Sequence, residues 1–312
     1  MGYHLKISII GDYASQSFLI GKELEKRGHK MQYFFQENKY TDLPPKFHKL
    51  GSVQGPLIWN YIYTGFWMSL GRIFKKADIQ IVNGTYPKCV RSKNTCYSYH
   101  GSDLRLGTVK PKNPSFVSLK ELQDFSNTSI FLPRIVDENK FYPDEEIKEK
   151  KQKFKNENGV DFIVGHFAHS PHIKGSDIFQ RAIDEINENE TTTIHYLNKP
   201  VPREEMFETL NFCDFILDHI NPTTGKTYNV ISIEALLCET PAASYYDTKY
   251  IDFSEMRDIV HYINPDPEMI KGSLLNTFYS TRKINRKEVL KFHSASAAVD
   301  VLEKYWKLWE FI

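Results

Sequence analysis

Short apolar runs and helix-like spacing alternate along the chain. Residues 6–10 (KISII) form an apolar run, and residues 15–27 then place their apolar side chains at the spacing of one helix face. A second apolar run follows at residues 30–35. This order predicts a βαβ unit, whose crossover is right-handed and whose sheet is parallel.

The same alternation continues through two series. In the first, we predict a helix over 57–76 and strands at 78–82, 95–99 and 130–132. In the second, we predict strands at 162–165, 193–197 and 215–217, with helices at 175–186, 203–211, around Glu234 and at 294–311.

The charged residues 144–158 separate the two series and are typical of a linker or a surface helix. We therefore predict a first domain over 1–143, a second over 144–293 and a final helix over 294–312. Aromatic residues in that last helix (Tyr305, Trp306, Trp309) need an apolar surface, for which the first domain is the expected partner.

Charge divides along the same line. Residues 1–135 carry 19 Lys and Arg against 9 Asp and Glu, and the remainder carries 21 against 30. A difference of this size can steer charged ligands, although unselected scatter of surface charge is the alternative. Nothing in the sequence points to a nucleic acid.

Composition indicates an ordinary globular protein, with 41% hydrophobic and 25% charged residues. We expect it to be cytoplasmic, because there is no signal peptide pattern and no apolar stretch of spanning length. The four cysteines lack zinc-ligand spacing and are expected to be buried thiols: Cys89, Cys96, Cys213 and Cys238. No metal site is predicted.

Two motifs follow strands of the first series, at the sheet edge where α/β proteins bind ligands. Gly11-Asp12-Tyr13 places a glycine before a helix start, an arrangement that suits an anion or serves only as a turn. Residues 100–105 (HGSDLR) combine an imidazole, a hydroxyl, a carboxylate and a guanidinium, which favours polyol binding. A helix start capped by Ser102 or Asp103 is the alternative.

Two further motifs belong to the second series. Residues 169–177 (HSPHIKGSD) put Lys174 before a helix, where it can reach a phosphate or simply be solvated. Residues 229–241 (NVISIEALLCETP) put Glu234 inside an apolar helix, where burial is costly without a hydrogen-bonding partner. A ribose diol would be such a partner, and a partly exposed glutamate with a structural partner is the alternative.

These segments resemble the retaining, metal-independent glycosyltransferases of the GT-B fold, of the large family-4 type. The resemblance extends over nearly the whole chain and rests on seven segments in the family's order. They are residues 19–34, HGSDLR, LPRIVDENKFYP (132–143), HSPHIKGSD, VPREEMFETLNFCDFILD (201–218), NVISIEALLCETP and FHSASAAVDVLEKYWKL (292–308).

The resemblance implies an α/β fold with two Rossmann-like domains facing each other across a cleft. It implies a nucleoside-diphosphate sugar as donor substrate, no cofactor, and a glycan, lipid-linked or other hydroxyl acceptor. Glu234 would hold the ribose and Lys174 the diphosphate, with little contribution of either to the fold. Backbone amides near Tyr228 and Asn229 would cradle the distal phosphate or sugar, and His100 would contact the transferred sugar.

The chain departs from the family pattern at three positions. Lys226 stands where the family has a glutamate, His169 where it has an arginine, and Glu239 where it has a glycine. Two alternatives therefore stay open: a sugar-nucleotide epimerase on the same fold, and an inactive nucleotide-sugar-binding or scaffold protein.

The predicted helix over 57–76 adds a further hypothesis. It carries several aromatic residues followed by Arg72, Lys75 and Lys76, a combination that suits peripheral contact with a membrane surface and an anionic acceptor. A helix this apolar is, however, more often part of a buried core.

Overall fold

The computed structural model describes residues 4–12, 15–37, 43–52, 56–84, 86–100, 102–105, 107, 110–251, 260–280 and 283–312. The chain forms two compact units: residues 1–135 together with 293–312, and residues 136–292. Each unit is built on one parallel β-sheet. Among the described helices, none combines the length and the apolar character needed to cross a bilayer.

The first sheet has the strand order β3-β2-β1-β4-β5-β6-β7, and every pair is parallel. Its two central strands carry apolar runs, residues 7–10 and 79–82, because both faces of a parallel sheet are buried, whereas residues 91–95 of the neighbouring strand are polar. The strands are β1 (Lys6–Ile10), β2 (Lys30–Glu37), β3 (His48–Ser52), β4 (Lys76–Asn83), β5 (Arg91–Tyr99), β6 (Ser115–Val117) and β7 (Ile130–Phe131).

Helices of this unit connect the strands. The helix predicted over 57–76 is interrupted and ends earlier, because Lys76 already pairs with Arg91 between β4 and β5. A π-helical turn, Trp67–Gly71, separates its two α-helical parts. The helices are α1 (Gln16–Lys26), α2 (Leu57–Phe66), α3 (Arg72–Phe74) and α4 (Ser102–Arg105), with a 3₁₀ helix at Lys120–Phe125.

The second sheet has the order β12-β11-β10-β8-β9 and is also parallel throughout. Its strands are β8 (Phe162–Gly165), β9 (Ile194–Leu197), β10 (Phe215–Leu217), β11 (Ala242–Ser244) and β12 (His261–Tyr262). Its helices are α5 (Glu145–Asn158), α6 (Pro171–Lys174), α7 (Ser176–Asn189), α8 (Met206–Phe212), α9 (Val230–Leu237), α10 (Pro267–Phe278) and α11 (Arg286–His293).

The charged run is helix α5 rather than a linker. The Asp144 carboxylate caps it by accepting from the Ile147 amide at 3.0 Å, and Gly159 ends it at φ +63°. Lys151 and Lys155 pair with Asp214 of the second unit. The division between the units lies earlier, between residues 135 and 136.

The C-terminal helix α12 (Ala295–Leu308) belongs to the first unit. Trp306 is fully buried in its core, and Trp309 lies against Phe116 with ring centroids 5.0 Å apart. Arg27, directly after α1, pairs with Asp300 of α12 at 2.8 Å. Apolar burial holds the end of the chain on the first sheet, and this partly exposed ion pair adds little.

Candidate functional site

His166 joins three elements at the carboxyl edge of the second sheet. Its Nδ1 lies 2.8 Å from the Leu217 carbonyl oxygen and its Nε2 lies 2.6 Å from the Ser176 hydroxyl. A carbonyl can only accept, so Nδ1 carries the proton and Nε2 accepts from Ser176. Burial lowers the pKa of His166, which favours this neutral form.

The turn from α6 to α7 holds Lys174 in place. Gly175 has φ +76°, and a Cβ there would lie 2.5 Å from the Ile220 side chain. The Ile220 amide donates to the Lys174 carbonyl at 3.1 Å, and the Thr224 hydroxyl donates to the Ile173 carbonyl at 2.8 Å. These contacts require glycine at position 175 and fix the backbone from which the lysine extends.

Asp218, one residue beyond β10, binds Lys174 and the start of α9. Its Oδ1 accepts from the Lys174 ammonium at 3.1 Å and from Asn229 Nδ2 at 2.9 Å. Its Oδ2 accepts from the Asn229 amide at 2.5 Å and from the Ser232 hydroxyl at 2.8 Å. Asp218 is buried, whereas the Lys174 side chain is 26% exposed.

These contacts keep Asp218 ionised. Burial opposes its charge, but the Lys174 ammonium, His219 and the hydrogen bonds from Asn229 and Ser232 outweigh burial and lower its pKa. The carboxylate therefore acts as an internal anion at the N-terminus of α9, where the helix dipole favours negative charge.

This arrangement corrects one expectation. The Asn229 amide was predicted to cradle a phosphate or sugar, but in this structure it donates to Asp218. The neighbouring Tyr228 is partly buried and packs against the core of the second unit. The Asn229 amide is therefore engaged within the protein, and phosphate or sugar binding near Tyr228 and Asn229 stays a prediction.

Glu234 also has an internal partner. It is only 2% exposed, and its Oε1 accepts from Arg203 Nη1 at 2.6 Å. The Arg203 guanidinium in turn lies 5.0 Å from the centre of the Phe141 ring. The expectation that Glu234 contributes little to the fold stays a prediction, and this buried pairing argues against it, because removal of one partner of a buried ion pair is destabilising. Its ribose-binding role also stays a prediction.

Lys226 stands where the family that the sequence resembles has a glutamate. Its ammonium lies 5.1 Å from the centre of the Tyr250 ring, a cation–π distance. The Asp247 amide donates to the Lys226 carbonyl at 3.0 Å, which fixes the loop between β10 and α9 against the segment after β11. A cation therefore replaces an acid at this edge of the sheet.

In the first unit, Gly11 and Asp12 form the turn into α1. Gly11 has φ +76°, and a Cβ there would overlap the Tyr86 ring. The Asp12 carboxylate accepts from the Ser17 amide at 2.9 Å, so it caps the first turn of α1. Tyr13, the third residue of this motif, lies outside the described residues. The turn interpretation thus accounts for the contacts seen here.

His100 is buried and oriented by Asn83. The Asn83 amide nitrogen donates to the carbonyls of Ile10 and Gly11, so its oxygen faces His100 Nε2 at 2.9 Å. The proton therefore resides on Nε2. Burial, and then the charge of Arg134, lower the pKa of His100 to about 3, so the imidazole is neutral.

The space beside His100 is small. It measures about 20 Å³, room for roughly one water molecule. This enclosed space is too small for a sugar, and contact of His100 with a transferred sugar stays a prediction. Of the other residues in the motif, Asp103 lies in α4 with its side chain outside the described part, and Arg105 pairs with the buried Glu121.

Solved structures resemble this chain over nearly its whole length. Sucrose-phosphate synthase from Thermosynechococcus elongatus superimposes with a TM-score of 0.64 at 11% identity, covering 98% of this chain and 99% of that one. Anabaena HepE in complex with UDP-glucose gives 0.60 at 11%, covering 97% and 100%. Methanocaldococcus jannaschii UDP-GlcNAc 2-epimerase, in complex with UDP-GlcNAc and UDP, gives 0.56 at 12%, covering 96% and 99%. No family model and no curated protein sequence matches the chain.

These likenesses and the two parallel sheets define the class of protein. It is an α/β protein of the GT-B fold with two Rossmann-like units, so the predicted fold class is confirmed. Identities this low show the fold alone, and the reaction has to be argued from the site.

Sequence reasoning missed four residues that shape these sites: Asn83, His166, Arg203 and Asp218. The only signal available for Asp218 was its position directly after a strand of a parallel sheet. In the described part of the chain, no cluster of three or more His, Cys, Asp and Glu side chains could hold a metal ion.

Proposed function

We propose that this protein is a glycosyltransferase that moves a sugar from a nucleoside-diphosphate sugar to a hydroxyl group of a glycan, a lipid-linked or another acceptor. One observation carries the proposal: the Lys174 ammonium is partly exposed and is held by buried Asp218 beside the first turn of α9. A positioned cation at the carboxyl edge of a parallel sheet is suited to a diphosphate. The shared fold with a protein solved in complex with UDP-glucose supports it.

We further propose transfer with retention and without a metal ion. The bond between the anomeric carbon and the distal phosphate oxygen breaks, and the phosphate leaves with the electron pair. The acceptor oxygen bonds to the anomeric carbon from the same face, and its proton passes to the departing phosphate. Lys174 offsets the negative charge that develops on the leaving group.

The test is calorimetric titration of wild type and Lys174→Ala with UDP, UDP-glucose and uridine. We expect a loss of roughly tenfold or more in affinity for the two diphosphates, since a charge-assisted hydrogen bond is removed, and an unchanged affinity for uridine. Lys153→Ala, an exposed lysine of α5, is the control. Because all ligands meet the same folded variant, reduced stability cannot imitate this contrast. Unchanged diphosphate affinity would overturn the proposal.

An epimerase is the second candidate, because an enzyme of that activity shares the fold. The two differ in their need for an acceptor. An epimerase converts the nucleotide sugar alone, whereas a transferase releases nucleoside diphosphate in proportion to the acceptor glycosylated. A chain that binds donors but turns over none of them would be a scaffold or binding protein.

We also propose a cytoplasmic location. All four cysteines are buried free thiols, a state that a reducing compartment maintains.

A further inference from the structure

The helical segment that links β3 to β4 is apolar and exposed. None of the ten residues of α2, all of them described, is buried. Its most exposed large side chains include Leu57, Ile58, Trp59 and Tyr61, the last at 70%, and the segment ends with Ile73 and Phe74 at 65% and 72%. The alternative that this helix is part of a buried core is therefore wrong for α2.

The segment packs against the sheet along one side. The Trp67 ring lies 5.3 Å from that of Phe34 and 4.5 Å from that of His48. The Thr64 hydroxyl donates to the Leu50 carbonyl at 3.3 Å. One side of the segment is thus anchored on β2 and β3, and the remaining sides are exposed.

Apolar exposure surrounds most of the helix rather than forming one stripe. Consecutive helical residues point about 100° apart, so Leu57, Ile58 and Trp59 together cover roughly 200° of the surface. A helix that is apolar on most of its sides is normally buried, in a protein core or in lipid. One side of this helix already packs on β2 and β3, and a lipid interface can take up the remaining apolar sides together. Trp and Tyr, both present here, are enriched at membrane–water interfaces.

The charge around this segment is positive. Residues 43–77 contain five basic residues and no acidic one, and one of the five, Lys49, pairs with Glu37 of β2 at 2.7 Å. The segment leads into a cleft of about 360 Å³ at the amino-terminal edge of the first sheet, lined by the basic residues Lys6, Lys76, Arg91 and Lys93. One carboxylate, Asp78, also lines it and accepts from the Lys6 backbone amide at 2.7 Å. Four cations against one carboxylate suit an anionic headgroup.

We propose that residues 57–74 and this basic cleft form a docking surface for an anionic lipid bilayer, on which α2 lies in the interface plane. The apolar side chains enter the headgroup region, and the lysines and arginine contact the anionic headgroups. This docking goes beyond the proposed transfer reaction and holds for the first unit whichever sugar is moved.

The first test is sedimentation of the full chain with vesicles of phosphatidylcholine, and with a two-to-one mixture of phosphatidylcholine and phosphatidylglycerol, at low and high salt. We expect binding to the mixture at low salt, weaker binding at high salt and little binding to phosphatidylcholine alone. Failure of wild type to bind the anionic vesicles at low salt would overturn the proposal. No donor is present, so that result leaves the proposed transferase function untouched.

Matched variants identify the surface. Tyr61→Asp should lower vesicle partitioning by roughly tenfold or more, because a charge replaces an aromatic ring that enters the lipid. Phe125→Asp, at an exposed apolar residue elsewhere in the unit, should not lower it. Each of Lys76→Glu and Lys93→Glu should lower partitioning by about fivefold or more, and Lys153→Glu in α5 should not. Equal losses in the control variants would refute the assignment.

Fluorescence separates lipid contact from self-association. Brominated lipid should quench wild type, and Trp59→Phe should lose most of that quenching while Trp309→Phe keeps it. Analytical ultracentrifugation without lipid is the companion measurement. A wild-type dimer that Tyr61→Asp converts to a monomer would make a second copy the occupant and overturn the lipid proposal.

Discussion

Asp218→Asn tests the central cluster of the second unit most directly. The substitution keeps the shape of the side chain and one acceptor oxygen, but it removes the charge that Lys174 faces at 3.1 Å and that the Asn229 amide faces at 2.5 Å. Removing one partner of a buried ion pair costs about 3–5 kcal/mol. Lys174 is 26% exposed and can be rehydrated, so we expect the free energy of unfolding to fall by about 2–3 kcal/mol, the upper part of the range for a charge-assisted hydrogen bond.

The assay is thermal unfolding at neutral pH. A domain of this size loses about 2–4 °C per kcal/mol, so Asp218→Asn should melt about 5–10 °C below wild type. Asp177→Asn is the matched control, because Asp177 pairs with Arg181 at the surface, with both side chains more than 70% exposed. That variant should lose less than about 0.5 kcal/mol, as exposed ion pairs do.

Lowering the pH tests whether the charge of Asp218 is what stabilises the folded state. The folded-state pKa of Asp218 lies below the unfolded value of about 3.9, so its contribution is full above that pH and is lost as pH falls through the folded pKa. The difference between wild type and Asp218→Asn should therefore be constant from neutral pH to about pH 5 and narrow below about pH 4. Equal melting temperatures at neutral pH, or a gap that does not narrow in acid, would refute this reasoning.

Three further predictions concern the frame around the sites. Gly159→Ala should lower the free energy of unfolding by about 1–2 kcal/mol, because φ is positive there. Gly175→Ala should lower it by more, because its Cβ would also meet Ile220. Equal losses of stability in urea denaturation would contradict this. Trp306→Ala should destabilise the first unit by about 3–5 kcal/mol, and a cost under about 1 kcal/mol would mean that α12 is not part of that core. The pKa of His100 is lowered to about 3 in the folded protein, so its imidazole binds a proton at a higher pH in the unfolded chain than in the folded one. Wild-type stability should therefore fall as the pH drops below about 6.5. His100→Gln should reduce that pH slope, and parallel slopes would exclude a buried neutral His100.

The sequence pattern determined much of the sheet framework. Strands β8 and β10 were predicted with the residue bounds that the structure shows, because strands buried on both faces are short apolar runs between polar turns. Polar strand ends gave no such signal, so the first residues of β5, among them Arg91 and Lys93, were missed. Strands β11 and β12 are only three and two residues long, too short for periodicity to reveal.

The candidate site was found in part. The lysine before Gly175 could be selected from sequence because a strand, a basic residue, a glycine and a helix follow one another within a few positions. Its partner Asp218 could not be selected from the sequence, because it lies 44 residues further on and carries no local signature. The same holds for Arg203, which reaches Glu234 across 31 residues. Ion pairs between distant segments are decided by how the strands are ordered in the sheet.

The segment 57–74 separates what the sequence determines from what only the tertiary structure determines. The sequence alone determined that it is helical, apolar and followed by basic residues. Whether those apolar side chains are buried or exposed depends on which elements cover α2, and periodicity carries no information about neighbours that are distant in the chain. Only the tertiary structure, in which α2 lies beside the edge strand β3, left those side chains exposed to solvent.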